Sequence, residues 1–430
     1  MTHIVNSTMK FIYSTIAILV VGNLKTTHNN REKKVWKVVC DIFLSFSEEA
    51  KFHPDTGKNI SQFLSKYGYP LESHDVTTED GFILTLHRIP HGKNDLASTP
   101  KPPVLFAHCL ACSGMDWIWQ GPNASLALLL ADSGYDIWLA NMRGTGPSMR
   151  HKTLTPADSA FWDYSFHEKG IYDMASSIDY ILNLTESSKL TYVGHSQGTT
   201  AGLVLTSLKL EYNDKINLMV MLSPIVYLEH MTSPIVRVLT DYMSVIKLVL
   251  GMFNIHGLAA PKYINLLSEV VCNKDSSLQG FCIYVIGLFA GFDVDQVDKS
   301  KLSVFLTNTP NGVSVKEVVH LTQEITSGAF RQYDFGSATS NFLHYGTSEP
   351  PVYNIAEVTV PLAVYYGKND LLASIVDVQK FLGELSHDPV DRYLIEYEYL
   401  NHLDFVTAKD IKTLLYDRVM EVIKKEVPVS

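Results

Sequence analysis

The sequence predicts an α/β protein: an open, mostly parallel sheet with flanking helices and one helical insertion. Three observations carry this. Short, nearly continuous apolar runs recur along the chain, as strands buried on both faces require. Stretches with helical spacing separate them, and such alternation implies right-handed crossovers. The rhythm breaks from about Pro224 to Pro350 and then resumes with a strand of the same type.

Composition agrees with a large buried core. The chain has 430 residues, 46% of them apolar and 19% charged, which excludes a disordered protein. Lys and Arg total 35 against 45 Asp and Glu, a net charge of −10 that argues against a nucleic-acid partner. No apolar run approaches the roughly 20 residues of a membrane-spanning helix.

Taken in order, residues 9–22 read MKFIYSTIAILVVG, a lysine followed by an apolar stretch of signal-peptide length. Residues 1–22 are expected to be a signal peptide, with initiation at Met9 making 1–8 an upstream extension, and 23–58 a leader or pro-segment; an uncleaved anchor or a buried strand is the competing reading of the apolar stretch. Sequons at Asn59, Asn123 and Asn183 suit a lumenal address as glycosylation sites. Residues 75–90 carry Asp80-Gly81 as a hairpin signal between alternating runs. Strands are expected at 104–108, 136–140, 190–193, 216–222 and 362–366, with helices at 125–133, 172–184 and 198–210. Ile411, Leu414, Leu415, Val419, Val422 and Ile423 share one face of a final helix.

The expected core is therefore 59–223 and 351–430, with 224–350 a cap over the sheet's C-terminal edge. An ordinary second core domain is the competing reading. Within the cap, 245–252 reads as a buried helix or as a lid.

Five cysteines, Cys40, Cys109, Cys112, Cys272 and Cys282, are too few for a disulfide-built scaffold. Cys272 and Cys282 lie close enough in sequence to close a short loop in an oxidising compartment. Cys109 and Cys112 lack two further zinc ligands nearby, so packing or pocket-lining thiols are expected rather than zinc or redox chemistry.

The most informative text is Gly194-His195-Ser196-Gln197-Gly198, between a strand and a helix. A serine on so tight a turn sits in strained backbone, and side chains two residues either way would clash. The turn exposes Ser196 as a nucleophile and aims the Gln197 N–H at developing negative charge. His195 is expected only to pack beside this turn. A serine hydroxyl needs a base, and this architecture orders the chain as Ser, acid, His. Asp370 follows a strand in GKNDLLA and is the expected acid; Asp377 falls in the helical text beyond. His402 follows the next strand and is the expected base, while Asp404 comes after it and breaks the order. The loop after strand 104–108 should supply a second oxyanion donor, the Leu110 N–H, with His108 and Cys109 shaping that loop.

Seven segments stand out: KYGYPLESHDVTTEDGFILTLHRIPHGK, HCLACSGMDW, ADSGYDIWLANMRG, FWDYSFHEKGIYDMASSIDYI, YVGHSQGTT, SGAFRQYDFG and LNHLDF. Together they resemble the acid lipase family of animals, which includes gastric lipase, lysosomal acid lipase and insect digestive relatives. The resemblance spans roughly Ile60 to Ile423. It implies an α/β-hydrolase fold with a helical cap and lid, and hydrolysis of triacylglycerols or sterol esters at a lipid–water interface with no metal or other cofactor. It implies Ser196 as nucleophile, Asp370 as acid, His402 as base, Leu110 and Gln197 as oxyanion amides, and a Cys272–Cys282 disulfide. A secreted or lysosomal monomer is expected.

Two places depart from the family's pattern. His108-Cys109-Leu110 stands where the family has His-Gly-Leu; if that glycine uses positive φ, cysteine costs about 1–3 kcal/mol of strain. NMRGTGPSMRH carries Pro147 where the family has NxRGNxxSxxH, so that loop is expected to differ. A weakly active lipid-binding homologue, supported by Cys109 alone, and a peptidase or non-lipid carboxylesterase are the competing functions.

Overall fold

The computed structural model describes residues 53–95, 100–258 and 271–429; the signal-peptide stretch, the leader up to residue 52 and Cys40 lie outside them. Eight strands form one sheet: β1 (Glu72–Thr77), β2 (Ile83–Ile89), β3 (Pro103–Ala107), β4 (Asp136–Leu139), β5 (Leu190–His195), β6 (Ile216–Leu222), β7 (Leu362–Tyr366) and β8 (Asp391–Leu394). Their spatial order is β1-β2-β4-β3-β5-β6-β7-β8, and only β2 runs against the rest.

Helices α1 (Leu126–Asp132), α2 (Ala175–Thr185) and α3 (Gln197–Leu208) follow β3, β4 and β5. Between β6 and β7 come α4 (Pro234–Asp241), α5 (Met243–Met252), α6 (Gln279–Ala290) and α7 (Val315–Ser327); α8 (Ile375–Glu384) and α9 (Asp417–Glu426) complete the frame. Apolar runs in the strands make sense once both faces are followed. Leu105, Tyr192, Met219 and Val364 pack on one side with Ile178, Leu203 and Phe381. Their neighbours Val104, Phe106, Val193, Val220 and Tyr365 pack on the other with Leu130, Val419 and Ile423. Each such side chain contributes about 1.5–3 kcal/mol on burial, so the doubly covered sheet is a rigid platform for the loops at its C-terminal edge.

The sequence's helical periods are modified twice. A π-helical turn at Lys412–Tyr416 leads into α9 and keeps Ile411, Leu415, Val419 and Ile423 buried at a spacing of four, with Leu414 and Val422 at the margin. A second, Lys169–Met174, precedes α2 where plain helix is expected, and it turns Lys169 and Asp173 into the interior. Such turns insert one residue per turn and are frequent at functional sites.

The segment between β6 and β7 is helical but not wholly so: Gly257–Leu258 pairs antiparallel with Val313–Ser314. Helix α5 is not a buried helix, because Val245, Leu248 and Met252 are 59%, 65% and 75% exposed. The departure at Pro147 is accommodated: it lies within the short turn Gly146–Ser148, and the buried Ser148 hydroxyl donates to the Asn141 carbonyl while accepting from Thr85 N–H. Asn59, Asn123 and Asn183 are exposed. Among the described residues, no helix is long and apolar enough to cross a membrane.

Candidate active site

In an open α/β sheet, ligands gather where neighbouring strands send their connections in opposite directions. That point here lies between β3 and β5, since β4 is on one side of β3 and β5 on the other. The chain after β5 makes its sharpest turn there. Ser196 has φ +53 and ψ −120, and α3 begins at once. Both flanking glycines are obligatory. A Cβ on Gly198 would stand 2.1 Å from the Ala107 carbonyl oxygen, and one on Gly194 would stand 2.8 Å from the Gly198 backbone. Gln197 opens α3, so its N–H has no intrahelical partner.

Ser196 meets the two residues expected of it. Its Oγ lies 2.7 Å from His402 Nε2, and His402 Nδ1 lies 3.0 Å from each Asp370 oxygen. Asp370 sits just past β7 and His402 in the loop beyond β8. Asp370 Oδ1 also accepts from the Leu372 and Ala373 amides at 2.9 and 2.8 Å. Burial alone would raise the Asp370 pKa, but His402, Ser223 and the Ala373 amide outweigh it and hold the carboxyl below its ordinary value. The ionised carboxylate therefore favours the Nδ1–H tautomer, leaving Nε2 free to accept a proton from Ser196.

The rival carboxyls are otherwise engaged. Asp377 lies in the first turn of α8, accepts from Ser374 and pairs with His230 at 2.8 Å. Asp404 accepts from the Asn401 amide and hydrogen bonds to Asp293. His195 does more than pack: its Nε2 donates to the His402 carbonyl at 2.9 Å, and burial drives its pKa down to about 3, so it stays neutral.

The loop after β3 corrects two expectations. Cys109 and Cys112 are not free thiols; they form a disulfide with Cα atoms 5.1 Å apart. The left-handed residue is Ala111, at φ +57, rather than Cys109. A cysteine at 109 therefore carries no backbone strain, and the crosslink closes the turn that bears Leu110. His108 supports the same turn. Burial lowers its pKa to about 3; the neutral ring donates from Nδ1 to the Cys109 carbonyl and accepts the Met142 N–H at Nε2. Cys272 and Cys282 are disulfide-bonded, as expected, at the start of α6.

Three further residues engage this site without a motif to announce them. Ser223, the residue after β6, donates from Oγ to Asp370 Oδ2 and lies 2.7 Å from His402 Nδ1. Lys169 Nζ and Glu317 grip the Gln197 amide: Lys169 donates to Gln197 Oε1 at 3.0 Å, and Gln197 donates to Glu317 Oε1 at 2.9 Å. No sequence pattern marks Ser223. Nor does any mark Lys169, which stands in the mixed polar text SFHEKGIYD.

Comparison with known proteins agrees with this geometry. A family model described as a partial α/β-hydrolase lipase region matches residues 60–121, and one described as the α/β hydrolase fold matches 102–245. Human gastric triacylglycerol lipase is 37% identical over 376 residues, covering 87% of this chain and 92% of its own. Human lysosomal acid lipase/cholesteryl ester hydrolase is 36% identical over 397 residues, covering 90% and 98%. Drosophila melanogaster lipase 1 is 37% identical over 372 residues, covering 86% and 81%. A soluble variant of the Saccharomyces cerevisiae monoglyceride lipase shares the fold, with a TM-score of 0.50 at 13% identity, covering 84% of this chain and 98% of that one. This chain is an ester-hydrolysing lipase of the α/β-hydrolase fold and belongs to the family of the gastric and lysosomal acid lipases.

Proposed function

We propose that this protein hydrolyses carboxylic esters of neutral lipids, triacylglycerols or sterol esters, through an acyl-enzyme on Ser196. The observation that carries this reading is the 2.7 Å contact of Ser196 Oγ with a His402 ring whose other nitrogen faces Asp370. Ser196 attacks the ester carbonyl as His402 Nε2 takes its proton. The Leu110 and Gln197 amides hold the oxyanion, a contribution of about 10²–10³ in rate per donor. His402 returns the proton to the departing alcohol, and water activated by the same imidazole then frees the fatty acid. Asp370 stays ionised throughout and stabilises the imidazolium.

Residues 224–350 act as cap and lid over a core of 59–223 and 351–430. Ser196 is 7% exposed, so a lipid reaches it only when the cap opens. The exposed Val245, Leu248 and Met252 on α5 suit contact with a lipid–water interface. The signal-like 1–22, the exposed sequons at Asn59, Asn123 and Asn183, and relatives named as gastric and lysosomal enzymes support a secreted or lysosomal glycoprotein.

Initial rates on emulsified triolein, emulsified cholesteryl oleate and a short soluble ester test this reading. Turnover of a long-chain emulsion, rising with interfacial area, is expected. Turnover of the soluble ester alone would identify a non-lipid carboxylesterase, and no turnover without fluorophosphonate labelling would identify a lipid-binding homologue.

A further inference from the structure

We propose that Ser223 is a positioning residue of the proton relay, holding Asp370 and His402 in register; this rests on the acyl-enzyme reading above. Ser223 stands where the strands of the relay converge. Its N–H donates to the Tyr365 carbonyl of β7 at 2.8 Å, and the preceding residue, Leu222, accepts the Ser196 N–H at 3.1 Å. Its backbone is left-handed, φ +50, although it is not glycine. Strained residues of this kind persist where the surroundings over-determine them, and they cluster at functional sites. The side chain is fully buried.

Proton counting fixes the hydroxyl's direction. Ser223 has one proton, and an ionised carboxylate can only accept, so Oγ–H donates to Asp370 Oδ2. Its oxygen is then an acceptor facing His402 Nδ1–H at 2.7 Å. Asp370 thus accepts from the Leu372 and Ala373 amides, the Ser223 hydroxyl and the His402 ring. Nδ1–H in turn has acceptors on two residues. The hydroxyl orients the carboxylate in the ground state and takes a share of Nδ1–H when His402 becomes imidazolium. Donors to a charged group are about twice as strong as neutral ones, so the loss should be visible in rate.

The test compares Ser223→Ala and Ser223→Gly. Glycine relaxes the left-handed backbone while alanine does not, and both delete the hydroxyl. Both are expected to lower kcat by about tenfold with KM unchanged. Both are also expected to shift the low-field Nδ1–H proton resonance of His402 in the phosphonylated protein. Retained kcat in Ser223→Gly with loss only in Ser223→Ala would assign Ser223 a backbone role and overturn the proposal, as would wild-type kcat in both. The underlying reading is checked separately, because it fails if fluorophosphonate does not label wild-type Ser196.

Discussion

Lys169 Nζ lies 2.7 Å from Glu317 Oε1, joining the turn before α2 to helix α7 in the interior. Both side chains are almost fully buried, and between them they clamp the Gln197 side chain. Gln197 carries the amide next to Ser196. The pair therefore couples the helical segment between β6 and β7 to the turn that presents the Ser196 hydroxyl.

A buried ion pair adds little net stability but is costly to break on one side. Lys169→Met alone strands the Glu317 charge and is expected to cost about 3–5 kcal/mol. Lys169→Met combined with Glu317→Leu should recover most of that in urea unfolding. If the two single substitutions and the double one proved equally mild, the pair would not bind the two segments together.

One buried carboxyl pair should contribute stability on the acid side. Asp404 is raised well above its ordinary value, by burial first and then by the neighbouring Asp293 and Asp370, against the opposing Asn401 N–H. Asp293 is raised too, chiefly by burial. The folded protein thus keeps protons that the unfolded chain releases near pH 4. This contribution is fully present below that pH and is lost as pH rises through the folded-state value. Asn at 404 can still accept the Asn401 N–H and can donate to Asp293 from its NH2, which does not titrate. The melting temperature of Asp404→Asn relative to the wild type should rise as pH goes from acid toward alkaline, because only the wild type loses this contribution. Parallel curves would show that the pair does not couple folding to pH.

The Cys109–Cys112 disulfide should act on rate more than on stability. Closing so short a loop contributes about 2 kcal/mol. Its place around Leu110 matters more, because the amide proposed to hold the oxyanion must be kept in position. For Cys109→Ala with Cys112→Ala, kcat should fall by about tenfold, less than the roughly 10²–10³ lost with a whole donor. KM should be unchanged. An unaltered kcat would mean the turn is held without the crosslink, with His108 as its support.

Much of this was legible in the sequence because the physics was local. Buried parallel strands write themselves as apolar runs, and 216–222 and 362–366 are the observed β6 and β7 to the residue. The tight turn at Ser196 demands its glycines, so the motif and the close approaches are one fact. Asp370 and His402 were found through chain order and strand ends. What escaped depended on partners far away in sequence. Ser223 looks like any serine before a proline until β6 is placed beside β7. Lys169 and Glu317 are 148 residues apart, and only a π-helical turn brings the lysine inward. Cys109 was misread because its partner lies three residues off, where a turn rather than a pattern decides the pairing.

The most direct measurement is the steady-state turnover of emulsified triolein by purified, folded Ser196→Ala protein. The account predicts a fall on the order of 10⁶ in kcat, the size seen when the nucleophile of such a relay is removed. Undiminished turnover would contradict it, because among the described residues no other hydroxyl hydrogen bonds to His402 Nε2.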